Sequence, residues 1–203
     1  MAPLIKGNIK VYASTDPDFI PEDVPVAMAD ISDLKMTIVT NDPTKRYYYT
    51  LLFDDKYRVK IATRNINIPG VQNFRDLGGY PSYSTKKQMR WGMIYRSAEI
   101  DSLECSSRRE LKNLGIKTLI DLRASSEIGR QSPLQKGFNV VHIPLATGDM
   151  EGILKGIREE KIKSDTVYRM VERMNRILID QYTKEYRQIF DILLDKNSYP
   201  VVI

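Results

Sequence analysis

The chain has 203 residues, 42% of them apolar, which is enough for a sizeable core in one large or two small domains and argues against disorder. Lys and Arg number 31 against 26 Asp and Glu, for a net charge of +5, and no block of like charge marks a nucleic-acid-binding arm. The single cysteine, Cys105, rules out an intrachain disulfide and a cysteine-built metal site, and no apolar run approaches the roughly 18 residues of a membrane span.

Met1–Lys6 lacks the apolar stretch of an export signal. The compartment is therefore cytoplasmic if Met1 is the native start, and periplasmic or secreted if such a signal has been removed. From Ile9 to Thr63 short β-rich runs are broken by turn residues: 9–12, 26–28, 36–40, 46–53 and 57–63, with Pro17, Pro21, Pro25 and Pro43 between them. Tyr57, Val59, Ile61 and Thr63 alternate with Arg58, Lys60, Ala62 and Arg64, the pattern of a strand with one wet face, and Asp54-Asp55-Lys56 predicts a hairpin before it. Residues 1–66 are expected to form a small all-β domain.

After Pro69-Gly70 the pattern changes, and 67–203 reads as an α/β domain. Strands are predicted at 91–96, 116–123 and 140–144, and a short helix over 106–114 is closed by Gly115. The stretch 145–163, with Gly148, Gly152 and Gly156 among apolar residues, reads as a surface helix or an amphipathic cover. Thr166–Leu194 is strongly helical, with Val167, Met170, Val171, Met174, Ile177 and Leu178 and then Tyr186, Ile189, Phe190, Leu193 and Leu194 as core-facing stripes. Strands alternating with helices imply a mainly parallel sheet flanked by helices, whose functional groups gather beyond the carboxyl ends of the strands.

Asp121-Leu122-Arg123 is the strongest local candidate for chemistry. In a strand Asp121 and Arg123 point to the same side, so a carboxyl able to protonate a leaving oxygen would stand beside a guanidinium able to grip a phosphoryl group. The structural alternative is that the two simply pair with each other. Cys105 fails as a phosphatase nucleophile on spacing: with five intervening residues the required arginine would fall on Leu111. His142, the only histidine, sits within an apolar strand, and with no second histidine a zinc site is unsupported.

Asn73-Phe74-Arg75-Asp76-Leu77-Gly78-Gly79-Tyr80, then Ile94-Tyr95-Arg96-Ser97-Ala98, then Leu114 to Arg123 followed by Glu127, occur in the order seen in bacterial atypical tyrosine/serine phosphatases, a cysteine-dependent, dual-specificity family. The resemblance runs from about residue 66 to the end. It implies a cysteine-phosphatase-like α/β sandwich that hydrolyses phosphate monoesters through a cysteinyl-phosphate, with no metal or other cofactor. In that family a strand similar to Pro200-Val201-Val202-Ile203 leads into a His-Cys-X5-Arg loop of backbone N–H groups that holds the phosphate. The resemblance thus places the nucleophile C-terminal to Ile203, makes the remaining C-terminal polypeptide a required partner, and predicts that the 203 residues alone are inactive. It implies Asp121 as general acid and Arg75, Asp76, Arg96 and Arg123 as substrate-binding or pocket-bracing groups. Phosphorylated proteins or phosphoinositides are the implied substrates. The rival reading is a non-catalytic module whose β domain binds a protein or glycan and whose phosphatase-like half only recognises phosphate.

Overall fold

The computed structural model describes residues 6–42, 45–100, 103–125, 127–128, 137–146, 150–159, 161–162 and 164–203. Pro43, Gly148, Lys163 and the first five residues, all part of the sequence reading, lie outside that set. The fold is mixed α/β, and the chain divides into two compact units: 1–67 with 74–95, and 68–73 with 96–203.

The first unit is built on four antiparallel strands, β1 (Asn8–Ser14), β2 (Ala27–Asp30), β3 (Tyr48–Phe53) and β4 (Tyr57–Ala62), in the order β2-β1-β3-β4. The β3–β4 hairpin turns through Asp54 and Asp55, both with positive φ (48° and 54°), a geometry Asp tolerates better than most residues. The Asp54 carboxylate also accepts from the Asn8 main-chain N–H at 2.8 Å, tying the turn to the start of β1.

Tyr48, Thr50 and Leu52 point from β3 into the unit and are buried, as is Tyr12 of β1. On β4 the polarity is the reverse of the usual one. Tyr57, Val59 and Ile61 are 71%, 41% and 42% exposed, whereas the alternate residue Lys60 reaches inward to the Pro17 carbonyl at 2.6 Å. Ile61, with Ile9, Val11, Leu51 and Phe53, instead borders an open apolar cavity of about 340 Å³. Met36 and Ile38 line its other side. The expected strand over 36–40 is thus outside any ladder, with Met36 and Ile38 facing the hollow and Val39 exposed.

The same unit contains β5 (Arg75–Asp76), the β6 (Pro81–Ser82) and β7 (Lys87–Gln88) hairpin, and the first residues of β8 (Ile94–Arg96). Leu77 N–H donates to the Ile94 carbonyl at 2.9 Å, and Asp76 N–H to that of Arg64 at 3.0 Å. Phe74 and Tyr95 stack at 5.3 Å between ring centroids beside buried Trp91. The strand expected over 91–96 is shortened to β8 because Trp91–Met93 form a turn, with Gly92 at φ 74°. Gly78 and Gly79 are required by contact: a Cβ on Gly78 would lie 2.5 Å from the Trp91 Cα, and one on Gly79 2.4 Å from its ring.

In the second unit β9 (Thr118–Asp121) is flanked by β10 (Asn139–His142) and β11 (Val201–Val202), both parallel to it. The helices are α1 (Cys105–Asn113), α2 (Met150–Arg158), α3 (Ser164–Gln181) and α4 (Thr183–Leu194). Gly115, at φ 72°, closes α1 as its position predicts. The long helical stretch is two helices, interrupted at Tyr182, whose φ and ψ of −107° and 27° lie off the helical values.

Ile120, Ile143, Ile189 and Val201 form the core of this unit, with Tyr186, Leu193 and Tyr199 packed against it. Phe190 and Leu194, expected inside, are 62% and 79% exposed. Each follows a core residue by one position, a turn of about 100° around the helix, and so leaves the buried face. Among the described residues no helix is long and apolar enough to cross a membrane.

Candidate active site

Because β9, β10 and β11 run parallel, Asp121, His142 and Ile203 arrive at one carboxyl edge. A small hollow of about 50 Å³ opens there, walled by Ser97, Ala98, Asp121, Val202 and Ile203. The Ser97 N–H donates to the Ile203 carbonyl at 3.1 Å, and that of Ala98 to the Gln72 carbonyl at 2.9 Å, which holds the turn after Arg96 against this edge.

Asp121 and Arg123 meet here. The Arg123 Nε lies 3.0 and 3.2 Å from the two carboxylate oxygens, its Nη2 donates at 2.7 Å, and its main-chain N–H donates at 3.1 Å. This forked grip, available to guanidinium but not ammonium, fixes the arginine side chain. Both side chains are largely withdrawn from solvent, with 14% and 13% exposure. Arg123 Nη1 also faces the exposed Glu99 carboxylate at 3.9 Å. Glu127 closes the following turn: its carboxylate accepts from the Ala124 N–H at 2.7 Å, and its own N–H donates to the Ala124 carbonyl at 2.9 Å.

Burial alone would push the Asp121 carboxyl upward, but the hydrogen bonds from Arg123, the charge of Arg123 and that of His142 together hold it below the ordinary carboxylate range. In this arrangement Asp121 is ionised at neutral pH and serves as an anchor. A carboxyl depressed on folding adds stability above its unfolded value, and that stability is lost as pH falls through the folded one. Asp121→Asn should therefore flatten the acid side of the stability profile, below the ordinary carboxylate range, and leave its shape at neutral pH unchanged. Urea midpoints measured across that range check this, and an unaltered acid limb would contradict it.

Arg96 ends β8 and is exposed. Arg75 and Asp76 belong to the first unit. There Asp76 is fully buried, accepting from the Gly78 N–H at 2.7 Å and the Gly92 N–H at 2.8 Å and pairing with Arg46 at 2.8 Å. Its carboxylate is committed to holding two glycine turns. Arg46, which sequence reasoning missed, lies over the Tyr48 ring at 4.7 Å, and nothing local in the sequence marks it as the partner of a residue thirty positions away. Cys105 is exposed in the first turn of α1, followed by helix rather than a phosphate-cradling loop.

Residues 66–203, more than half of the chain, match the tyrosine phosphatase family. The chain belongs to that family. Its relatives are the bacterial atypical tyrosine/serine phosphatases that the three motifs resemble. It is also 38% identical over 79 residues to the triple specificity protein phosphatase PtpB of Mycobacterium tuberculosis, a match covering 38% of this chain and 27% of PtpB. The chain thus spans about a quarter of the length of that relative. The Asp121–Arg123 pair, the turn closed by Glu127 and the glycine-rich Asn73–Tyr80 segment all fall within the family match.

Proposed function

We propose that this chain is the N-terminal part of a protein tyrosine/serine phosphatase of the cysteine-phosphatase α/β type, hydrolysing phosphate monoesters without a metal. The observation that carries the reading is a carboxylate and a guanidinium held together at the carboxyl edge of parallel strands, inside a segment that matches the tyrosine phosphatase family. The similarity to PtpB, itself described as a triple specificity protein phosphatase, favours a site that accepts more than one kind of phosphoester.

The nucleophile is a cysteine C-terminal to Ile203, at the start of a phosphate loop that continues from β11. Its thiolate attacks phosphorus, the ester oxygen leaves with a proton, and water then hydrolyses the cysteinyl-phosphate. Arg123 grips the phosphoryl oxygens, and Arg96 lies near enough in sequence to the Ser97–Ala98 wall to assist it. When Arg123 turns from Asp121 to the phosphate, the bonds that depress the carboxyl are lost while its burial remains. Asp121 then takes up a proton and becomes able to donate it to the leaving oxygen.

A chain extended through that loop is expected to hydrolyse a generic aryl phosphate with vanadate sensitivity and indifference to chelators. The 203-residue chain by itself is expected to turn over none. Chelator-sensitive turnover, or turnover by a verified 203-residue species, would overturn the proposal.

A further inference from the structure

The lone histidine has a place in this site that the strand-core reading of it does not suggest. In the parallel register His142 stands opposite Asp121, and the next residue, Ile143, donates its N–H to the Asp121 carbonyl at 2.9 Å. The ring of His142 reaches past the end of β9 instead of into the core, and its Nε2 lies 2.8 Å from the Arg123 main-chain carbonyl. A carbonyl only accepts, so Nε2 must carry the proton. Leu145 N–H donates to the Leu122 carbonyl at 2.9 Å, so two main-chain bonds just C-terminal to the histidine stitch the segment after β10 to the end of β9 and the residue that follows it.

We infer that His142 is the positioning residue for Arg123: its Nε2–H ties the arginine main chain to β10, so that the guanidinium stays aimed at the carboxyl edge even when Asp121 releases it. That the guanidinium grips a phosphate rests on the proposed phosphatase function; the tie itself does not. The side chain of Arg123 is fixed by Asp121, and its backbone by Asp121 from the N–H side and by His142 from the carbonyl side. A phosphate that competes for the guanidinium removes the first restraint, and the histidine supplies the second. Among the described residues, the charged groups around the tie include Asp121 and Arg123, with Glu99 facing the far side of the guanidinium. The charge of His142 also contributes to holding the Asp121 carboxyl down.

Two substitutions separate the donor from the charge. Gln at position 142 keeps an N–H on a chain of similar reach but carries no charge, and Ala keeps neither. In the isotopically labelled 203-residue chain, NMR reads the exchange of the Arg123 Nε–H and the titration midpoint of the Asp121 carboxyl carbon. His142→Ala should speed the Arg123 exchange by about tenfold, the equivalent of one lost hydrogen bond, and raise the Asp121 midpoint. His142→Gln should restore slow exchange while leaving the Asp121 midpoint raised. A histidine that merely packs would give no such split. Wild-type exchange in the Ala variant, or a Gln variant that behaves like Ala, overturns the inference. Should the Ala variant unfold, the Gln variant decides on its own by the same two readouts. Failure of the phosphatase reading shows differently, as absence of aryl phosphate turnover in the wild-type chain extended past Ile203, with the exchange results intact.

Discussion

Replacing Asp76 by Ala is expected to cost about 3–5 kcal/mol of stability, the range seen when one member of a buried ion pair is removed. The carboxylate is wholly buried, and three donors converge on it: two glycine N–H groups and the Arg46 guanidinium. Alanine takes the acceptor from the two glycine N–H groups and the counter-charge from Arg46, which keeps the neutral Tyr48 and Tyr95 hydroxyls and the Thr63 carbonyl as acceptors. Asn retains one acceptor oxygen but turns an N–H group toward donors, so its cost should fall between that of Ala and zero. Arg46→Ala in the Asp76→Ala background should cost much less than in the wild type, because the two residues act as one unit. Trp91 is the only tryptophan and lies in the same cluster, so its fluorescence during denaturant unfolding reports on this site directly. A loss below about 1 kcal/mol, the level of an ordinary surface change, would mean that the buried pair is not what holds the Gly78 and Gly92 turns.

In the chain extended past Ile203, Arg123→Ala is expected to lower kcat/KM for an aryl phosphate by roughly 10²–10³, the usual effect of deleting one preorganised donor to developing negative charge. It has a second, separable consequence. Asp121 is largely withdrawn from solvent, and burial is the largest single influence on its carboxyl; it is held low because Arg123 and His142 together outweigh that burial. Without Arg123 the carboxyl should rise, and because a general acid must be protonated to act, the alkaline limb of the pH–rate profile should move upward with it. Lys at the same position restores a charge but not the two-pronged grip, and should recover part of the pH shift and little of the rate. Unchanged kinetics in Arg123→Ala would remove the guanidinium from the site.

Much of this was legible in the sequence where local and tertiary demands agree. The Asp54-Asp55 hairpin, the Gly115 helix stop and a parallel strand within 116–123, observed only over Thr118–Asp121, are each fixed by residue type and period together. Asp121 and Arg123 do meet, but as the ion pair that the structural alternative described, with Arg123 beyond the end of β9 and not on the same strand. Periodicity failed where it could not tell which partner an apolar residue meets. Met36 and Ile38 alternate like a strand yet line a cavity without a ladder, and Val59 and Ile61 stand open while Lys60 turns inward. Phe190 and Leu194 satisfy a helical stripe but sit one step beyond the buried face. Arg46 and His142 carried no local signal, because each acquires its role from a contact made across many residues of chain.

The central claim is that this edge serves a cysteine nucleophile supplied by the polypeptide beyond Ile203. Rapid quenching of the extended chain during aryl phosphate turnover, followed by mass spectrometric mapping of the phosphoryl group, tests it most directly. A phosphorylated cysteine C-terminal to Ile203 is expected, with its formation strongly slowed by Arg123→Ala. A phosphoryl group on Cys105, or turnover with no phosphocysteine at any stage, would contradict it.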